Sequence, residues 1–226
     1  MRTAIMSCSL LLGCAGAGLG RADGAYASVG DVAVEKNGVD VLAIQARLEA
    51  HISSGAASEE DRERAYARVQ VPDDGTAAYA FARAAVAGRV AEVRGLSATK
   101  LVRETEAYAR LSLDRDPEFR RGAARRMLGT LYVMAPNLVR HGDSEDGLEL
   151  LERQVDRYPD DPANHLRLAE GYLALGDPEA ARQPLCQAAM NMRRSERTAE
   201  QQRLLRQLLE EIELGRQRLC HRGDGS

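Results

Sequence analysis

The sequence predicts an all-α fold of helical hairpins stacked into a solenoid, with a capping helix at the C-terminal end. From Asp40 onward, apolar residues recur at helical spacing. Two Gly-Asp turns, Gly142-Asp143 and Gly176-Asp177, lie between such runs, and their glycines are 34 residues apart. A fixed period of this size indicates repeated units that each bury an apolar face against the next unit.

Local signals mark the beginning and the end of the first two helices. Asp40 is placed to cap an amphipathic run that stops at Gly55. Ser58, with Asp61 three residues later, predicts the start of a second, charged helix that ends before Pro72.

Three further helices follow at short intervals. A third helix over 76–94 has a face of alanines, which permits close approach of a neighbouring helix. A fourth runs over 97–116 and ends there, because the residue before Pro117 avoids the helical region. A fifth, over 117–134, begins with this proline in its first turn, where the missing N–H is tolerated.

The C-terminal part is predicted to continue the helical hairpins and to end with a single helix. A helix over 144–158 follows the first Gly-Asp turn, and a second hairpin follows it. Pro184 falls inside the last helix of that hairpin, where we expect a kink, since an internal proline loses a backbone donor at a cost of about 3 kcal/mol. A final helix over 198–219 is predicted to cover the last repeat.

Two matching motifs indicate which kind of helical repeat the chain contains. Leu128-Gly129-x-x-Tyr132 and Leu168-Ala169-x-x-Tyr172 each place a small residue between two large ones on one helix face. The small residue lets the partner helix cross closely while the Leu and the Tyr fill the space around the crossing. Over residues 117–192 the pattern resembles the tetratricopeptide repeat, and this resemblance implies a module that works by binding a partner.

The loop over 135–141 is six residues longer than in a standard repeat of this kind. Because an insertion at the tip of a hairpin is a common place for specialised contacts, it is our main candidate for a partner or ligand surface. The candidate residues, on this loop and on the helices beside it, are Arg121, Arg125, Tyr132, Pro136, Asn137, Arg140, His141 and Tyr172.

A cluster of arginines on the fifth helix allows two interpretations. Its members are Arg120, Arg121, Arg125 and Arg126. They could face the concave surface of the solenoid and clasp a carboxylate with a guanidinium fork. The alternative is that they pair with Asp114, Asp116 and Glu118 on a solvated face.

The N-terminal segment predicts an exported, lipid-anchored protein. Arg2 precedes an apolar run over 4–13 that is too short to span a bilayer, as in a signal peptide. Leu11-Leu12-Gly13-Cys14 resembles a bacterial lipobox, although Leu12 replaces the usual Ala or Ser, and it implies lipidation of Cys14. In the lipoprotein sorting pattern, Ala15 rather than Asp after the cysteine implies the outer membrane. The alternative is cleavage near residue 17 and a soluble periplasmic protein.

The chain therefore divides into four predicted parts. They are a signal peptide over 1–13, a flexible tether over 14–38, a helical repeat domain over 39–220 and a disordered tail over 221–226.

The sequence allows two alternatives for the remaining cysteines, Cys186 and Cys220. An oxidising periplasm would allow a disulfide between them. Alternatively, one is a buried thiol and the other a free residue near the chain end, because sequence alone gives no distance between them.

Composition and motifs argue against several classes of function. The sequence has no His-Glu-x-x-His, Gly-x-Ser-x-Gly, P-loop or paired-cysteine metal motif, so we predict no enzyme, no cofactor and no metal. His141-x-Asp143 offers two metal ligands, but a site needs three or four. A formal net charge of −3 gives no sign of nucleic-acid binding.

A second set of motifs is typical of a narrower family. The motifs are Arg94-Gly95-Leu96-x-Ala98, Leu128-Gly129-x-Leu131-Tyr132, Ala135-Pro136 and Gly142-Asp143. Over residues 77–188 they resemble the T-component family associated with TRAP transporters, although that family usually has two glycines where this chain has His141-Gly142. The main hypothesis is thus an envelope scaffold for a periplasmic protein. The resemblance implies an alternative, an accessory that handles a small organic acid beside a solute-binding protein.

Overall fold

The computed structural model describes residues 40–193, 198–212 and 220, apart from the side chain of Leu96. These residues form α-helices without any strand. The helices are α1 (Val41–Ser54), α2 (Glu59–Arg68), α3 (Ala77–Arg94), α4 (Thr99–Arg115), α5 (Ala123–Met134), α6 (Ser144–Arg157), α7 (Pro162–Ala174), α8 (Pro178–Asn191) and α9 (Ala199–Glu211). The predicted signal peptide, tether and tail lie outside the described residues, as do residues 213–219 of the predicted last helix.

Sequential helices pack as hairpins, and each hairpin packs on the next. The pairs are α3 with α4, α5 with α6, and α7 with α8. Contacts of α4 with α5, and of α7 with both α5 and α6, join the three hairpins into one array. Helices α1 and α2 pack on α3 at one end, and α9 packs on α7 and α8 at the other. The predicted all-α solenoid of tetratricopeptide-like hairpins is therefore confirmed.

Helix starts follow the capping signals of the sequence. The Asp40 carboxylate accepts the backbone N–H of Ala43 at 3.0 Å, as predicted for α1. Ser58 and Asp61 form a reciprocal capping box at the start of α2. A capping oxygen satisfies one of the N–H groups that the first turn of a helix leaves without an intrahelical partner.

The predicted start of the fifth helix is wrong. Helix α5 begins at Ala123 rather than at residue 117, because three consecutive residues adopt left-handed backbone conformations. Their φ angles are 47° at Arg120, 55° at Arg121 and 70° at Gly122. Gln154 of α6 holds this turn, since its Nε2 donates to the carbonyl of Arg121 at 2.5 Å. A Cβ on Gly122 would lie 2.5 Å from the Oε1 of the same glutamine.

Helices α5 and α6 cross at two glycines. A Cβ added to Gly129 would lie 2.9 Å from the carbonyl oxygen of Gly147, and 2.8 Å from Cγ of Leu151. A Cβ on Gly147 would lie 2.8 Å from the carbonyl oxygen of Gly129. The close crossing predicted at Gly129 is confirmed, and Gly147 is its counterpart on the facing helix.

The last hairpin and the cap are continuous with the array. Helix α8 runs through the buried Pro184, so the proline does not divide it.

Helix α9 covers the last hairpin, which confirms the predicted capping helix. One face of α9 buries four leucines against α7 and α8, namely Leu204, Leu205, Leu208 and Leu209. The Sγ atoms of Cys186 and Cys220 form a disulfide bond, with their Cα atoms 5.2 Å apart. The chain beyond α9 is thereby attached covalently to α8.

A buried guanidinium joins the two ends of the array. Arg89 of α3 is only 4% exposed. It donates to both oxygens of Glu49 on α1, from Nε at 3.0 Å and from Nη2 at 2.7 Å. It also donates to Glu92 at 2.7 Å and to Glu200 of α9 at 3.1 Å. Since Glu200 also lies 3.8 Å from Arg167 of α7, one carboxylate bridges the first and last hairpins.

Substitution of Gly129 by Ala should destabilise the protein by about 1–3 kcal/mol, because the new methyl group meets a backbone oxygen that cannot rotate away. Equilibrium unfolding in urea measures this. Gly171→Ala is the matched control, since its Cβ would meet side-chain methyl groups and no backbone atom, the nearest being that of Leu151 at 3.3 Å. Ala favours a helix interior over Gly by about 0.5–1 kcal/mol, so the control should be neutral or stabilised. Equal losses in both variants would contradict the close crossing.

Substitution of Arg89 by Ala should cost about 3–5 kcal/mol in the free energy of unfolding, because it leaves buried carboxylates without their cation. Arg94→Ala serves as the control, since Arg94 lies on the same helix but pairs with Glu63 at the surface. Exposed pairs contribute little, so this variant should unfold near the wild-type midpoint. If both variants unfolded alike, Arg89 would not hold the ends of the array together.

Candidate partner surface

The inserted loop forms one end of the α5–α6 hairpin. Leu138 and Val139 pack against the hydrophobic core, while Asn137, Arg140 and His141 are exposed. The loop is therefore anchored by its apolar side chains and presents its polar ones to solvent.

A buried carboxylate on α4 fixes the loop backbone. Glu106 is 1% exposed and accepts the N–H groups of Arg140 and His141, each at 2.8 Å. Nδ1 of His141 lies 3.2 Å from the same carboxylate. A carboxylate that accepts two backbone donors forms strong, charge-assisted hydrogen bonds, so the loop conformation is largely set before any partner binds.

Sequence reasoning missed Glu106. The buried face of α4 follows a helical period, and its members are Val102, Thr105, Glu106, Ala109 and Ser112. A carboxylate within such a stripe needs a polar partner from another element. The position of Glu106 within this apolar stripe therefore indicates a buried, paired carboxylate. The sequence does not indicate which element supplies the partner.

Tyr132 is buried beneath the loop, where its ring packs against Gly142, and it does not face solvent. It is 3% exposed, and its hydroxyl lies 3.4 Å from Nη1 of Arg110. A Cβ on Gly142 would lie 2.3 Å from the Tyr132 ring, so only glycine lets the loop pass over it. Pro136 is half-buried beside the loop. The prediction of Tyr132 as a surface residue is therefore corrected to a supporting one.

The α5–α6 hairpin and the next hairpin together supply an apolar area beside the loop. Met134, Leu148 and Tyr172 are half-buried and pack on one small core cluster. Leu175, at the α7–α8 turn, is 45% exposed. The Tyr172 hydroxyl donates to Glu152 at 2.7 Å, and burial together with this carboxylate raises the pKa of Tyr172 to about 12. The phenol thus stays protonated and remains a donor at neutral pH.

We call these residues together the hairpin-tip surface. It consists of Met134, Asn137, Arg140, His141, Leu148, Tyr172 and Leu175. Half-exposed apolar groups beside exposed polar ones are the composition of a protein-binding patch, in which an apolar centre is surrounded by a polar rim.

The four arginines of the predicted cluster contact different neighbours. Arg120 lies over the rings of Phe81 and Phe119, and Arg121 lies 4.6 Å from the Tyr158 ring centroid and pairs with Asp160. Arg126 is buried and donates to Asn164 at 2.7 Å. No ion pair of described residues joins these four arginines to Asp114, Asp116 or Glu118, which pairs with Arg157, but the charge of Arg125 helps to lower the pKa of Glu118. The four guanidinium groups do not converge on one fork.

Arg125 borders a shallow depression on the surface of α6. The other lining residues are Arg153, Asp156 and Arg157. Arg125 donates to Gln154 at 3.1 Å, and its charge helps to lower the pKa of Glu118. The depression is open and its arginines are largely matched by nearby carboxylates, so it does not form an enclosed anion site.

His141 and Asp143 have structural partners. His141 contacts Glu106, and the Asp143 carboxylate caps α6 by accepting the N–H groups of Glu145 and Asp146. Within the described part of the chain, no three His, Cys, Asp or Glu residues are grouped as metal ligands would be. None of the described helices is long and apolar enough to cross a membrane.

Comparison with known proteins agrees with the observed architecture. Residues 138–208 match the family model of the tetratricopeptide repeat. The match runs from the inserted loop through α6, α7 and α8 into α9, and it includes most of the hairpin-tip surface. No curated protein matches the chain by sequence similarity. Between residues 138 and 208 the chain is thus similar to tetratricopeptide repeats, a class of helical hairpin that commonly binds protein partners.

Proposed function

We propose that this chain is a lipid-anchored module of the cell envelope that binds a periplasmic protein through the hairpin-tip surface. The observation that carries the proposal is the inserted loop, which Glu106 holds in place beside an exposed apolar area. A surface that is already ordered loses little conformational entropy when it binds, which favours affinity.

The similarity to tetratricopeptide repeats supports a binding role rather than catalysis. Repeat arrays present extended surfaces to other proteins, and their loop insertions cluster on the face used for binding. The partner should place an apolar side chain against Tyr172 and Leu175, and polar groups against Asn137, Arg140 and His141.

The identity of the partner distinguishes two forms of the proposal. A scaffold would hold a protein of envelope assembly or secretion. The T-component resemblance of the sequence would make the partner a solute-binding protein of a TRAP transporter. Identification of the captured protein separates the two.

The anchor depends on Cys14, which lies outside the described residues. In cells grown with an alkyne-tagged fatty acid, the wild-type chain should incorporate the label and Cys14→Ala should not. Cys8→Ala is the matched control, because Cys8 lies in the predicted signal peptide and should be dispensable for labelling. If neither the wild type nor the control were labelled, the anchor would be excluded and a soluble periplasmic protein favoured.

A photo-crosslinking amino acid at Asn137 should capture one defined periplasmic protein, identified by mass spectrometry. The same amino acid at Glu60, an exposed residue of α2, is the control and should not capture it. Leu175→Asp, introduced together with the probe at Asn137, should lower the yield about tenfold, the effect of losing ~1.4 kcal/mol of binding free energy.

Glu106→Gln adds a second test of the same surface. The amide replaces one acceptor oxygen with a donor facing the loop N–H groups, so the loop should loosen and capture should fall. Faster hydrogen exchange at the amides of Arg140 and His141 would report the loosening directly. Capture that is equal at Glu60, or unaffected by Leu175→Asp, would refute the hairpin-tip surface as the binding site.

A further inference from the structure

A cavity of about 270 Å³ lies where the two ends of the array meet. Five helices contribute to its wall, namely α1, α2, α3, α7 and α9. The cavity shares no residue with the hairpin-tip surface, so a ligand bound here would be independent of the proposed protein partner.

Arginines dominate the charge of this wall. Four guanidinium groups come from four different helices, and they belong to Arg62, Arg89, Arg167 and Arg203. Two carboxylates, those of Glu92 and Glu200, line the same cavity. Behind the wall, Glu49 binds Arg89 and Glu170 binds Arg167. The wall itself thus has four guanidinium groups and two carboxylates, while the two carboxylates behind it balance the remaining positive charge.

Three of these arginines use only one terminal nitrogen for hydrogen bonds to the described protein, although Nη2 of Arg167 also forms a longer ion pair with Glu200. Arg62 donates from Nη1 to the carbonyl of Arg89 at 2.9 Å and to Glu92 at 3.2 Å. Arg167 donates from Nη1 to Glu170 at 2.7 Å, while its Nη2 is 3.8 Å from Glu200, beyond hydrogen-bond distance.

Arg203 of α9 completes the set. It donates from Nη2 to the carbonyl of Ser53 at 3.1 Å. Each of the three guanidinium groups thus keeps one terminal nitrogen without a hydrogen bond to the described protein. Such nitrogens are strong donors for an oxygen anion, since guanidinium binds carboxylate and phosphate oxygens in pairs.

We propose that this cavity binds a small oxyanion, a carboxylate or a phosphate, through the terminal nitrogens of Arg62, Arg167 and Arg203 that donate no hydrogen bond to the described protein. The anion would lie between the first and last helices of the array. Because Arg203 belongs to the capping helix and Arg62 to α2, binding also joins the two ends of the array through the ligand.

Glu92 makes this site sensitive to pH. Burial raises its pKa to about 7, more than the neighbouring Arg89 and Arg62 lower it. Glu49 and Glu200 also face this cluster, and the charge of Glu49 further favours the protonated form of Glu92. As the pH falls from 8 to 6 the carboxyl takes up a proton and the wall loses negative charge, so the affinity for succinate, which stays largely doubly charged over this range, should rise.

Isothermal titration calorimetry of the full chain with succinate and with inorganic phosphate tests the proposal. At least one probe should bind at pH 6, and Arg203→Gln should weaken it about tenfold, the expected effect of losing one charged hydrogen bond. Arg206→Gln is the matched control, because Arg206 is an exposed residue of the same helix outside the cavity. Which probe binds identifies the oxyanion as carboxylate or phosphate.

Two further comparisons decide the result. Succinamide, a neutral analogue of succinate, should give no heat of binding, and Glu92→Gln should remove the difference in succinate affinity between pH 6 and pH 8. Circular dichroism confirms that each variant is folded. Absence of binding by both probes, equal weakening by Arg203→Gln and Arg206→Gln, or equal binding of succinamide would overturn the site.

Discussion

The buried guanidinium of Arg89 is the interaction on which the arrangement of the ends depends. It binds Glu49 with two hydrogen bonds and also contacts Glu92 and Glu200. A cation this deep in the protein is stable only when it is fully paired, so α1, α3 and α9 must all be in place for the network to form. The array is thereby held closed, whereas nearest-neighbour packing alone would leave its ends independent.

This closure has two structural consequences. It brings arginines from α2, α7 and α9 around one cavity, which no single hairpin could assemble. It also gives α9 two kinds of attachment, the leucine face on α7 and α8 and the polar bridge of Glu200 to Arg89 and Arg167. The disulfide between Cys186 and Cys220 adds a covalent link beyond that helix.

The hairpin-tip surface also depends on contacts between residues that are distant in sequence. Its loop owes its conformation to Glu106, a residue of the preceding hairpin and 35 residues away from His141. Gly142 allows the loop to pass over the Tyr132 ring, and half-buried side chains of this hairpin and the next one extend the surface. The candidate site is therefore a property of three helix pairs in contact and not of the insertion alone.

Much of the fold could be predicted from the sequence because its signals act over short distances. The caps at Asp40 and Ser58 join residues three positions apart, and the crossing at Gly129 follows from a repeated motif within one helix. The start of α5 could not be predicted in this way, because the left-handed turn before it is stabilised by Gln154, on the following helix. The candidate site was predicted in part, since the loop was identified but its buried support was not.

By itself, the sequence determined the all-α class, the 34-residue period, the helix caps and the position of the inserted loop. The tertiary structure alone decided which charges meet. Arg89 and Glu200 are 111 residues apart, and the four arginines on one stretch of sequence diverge to different neighbours. The physical reason is that caps and periodicity are set by neighbouring residues, whereas the pairing of distant charges depends on how all the helices of the array pack together.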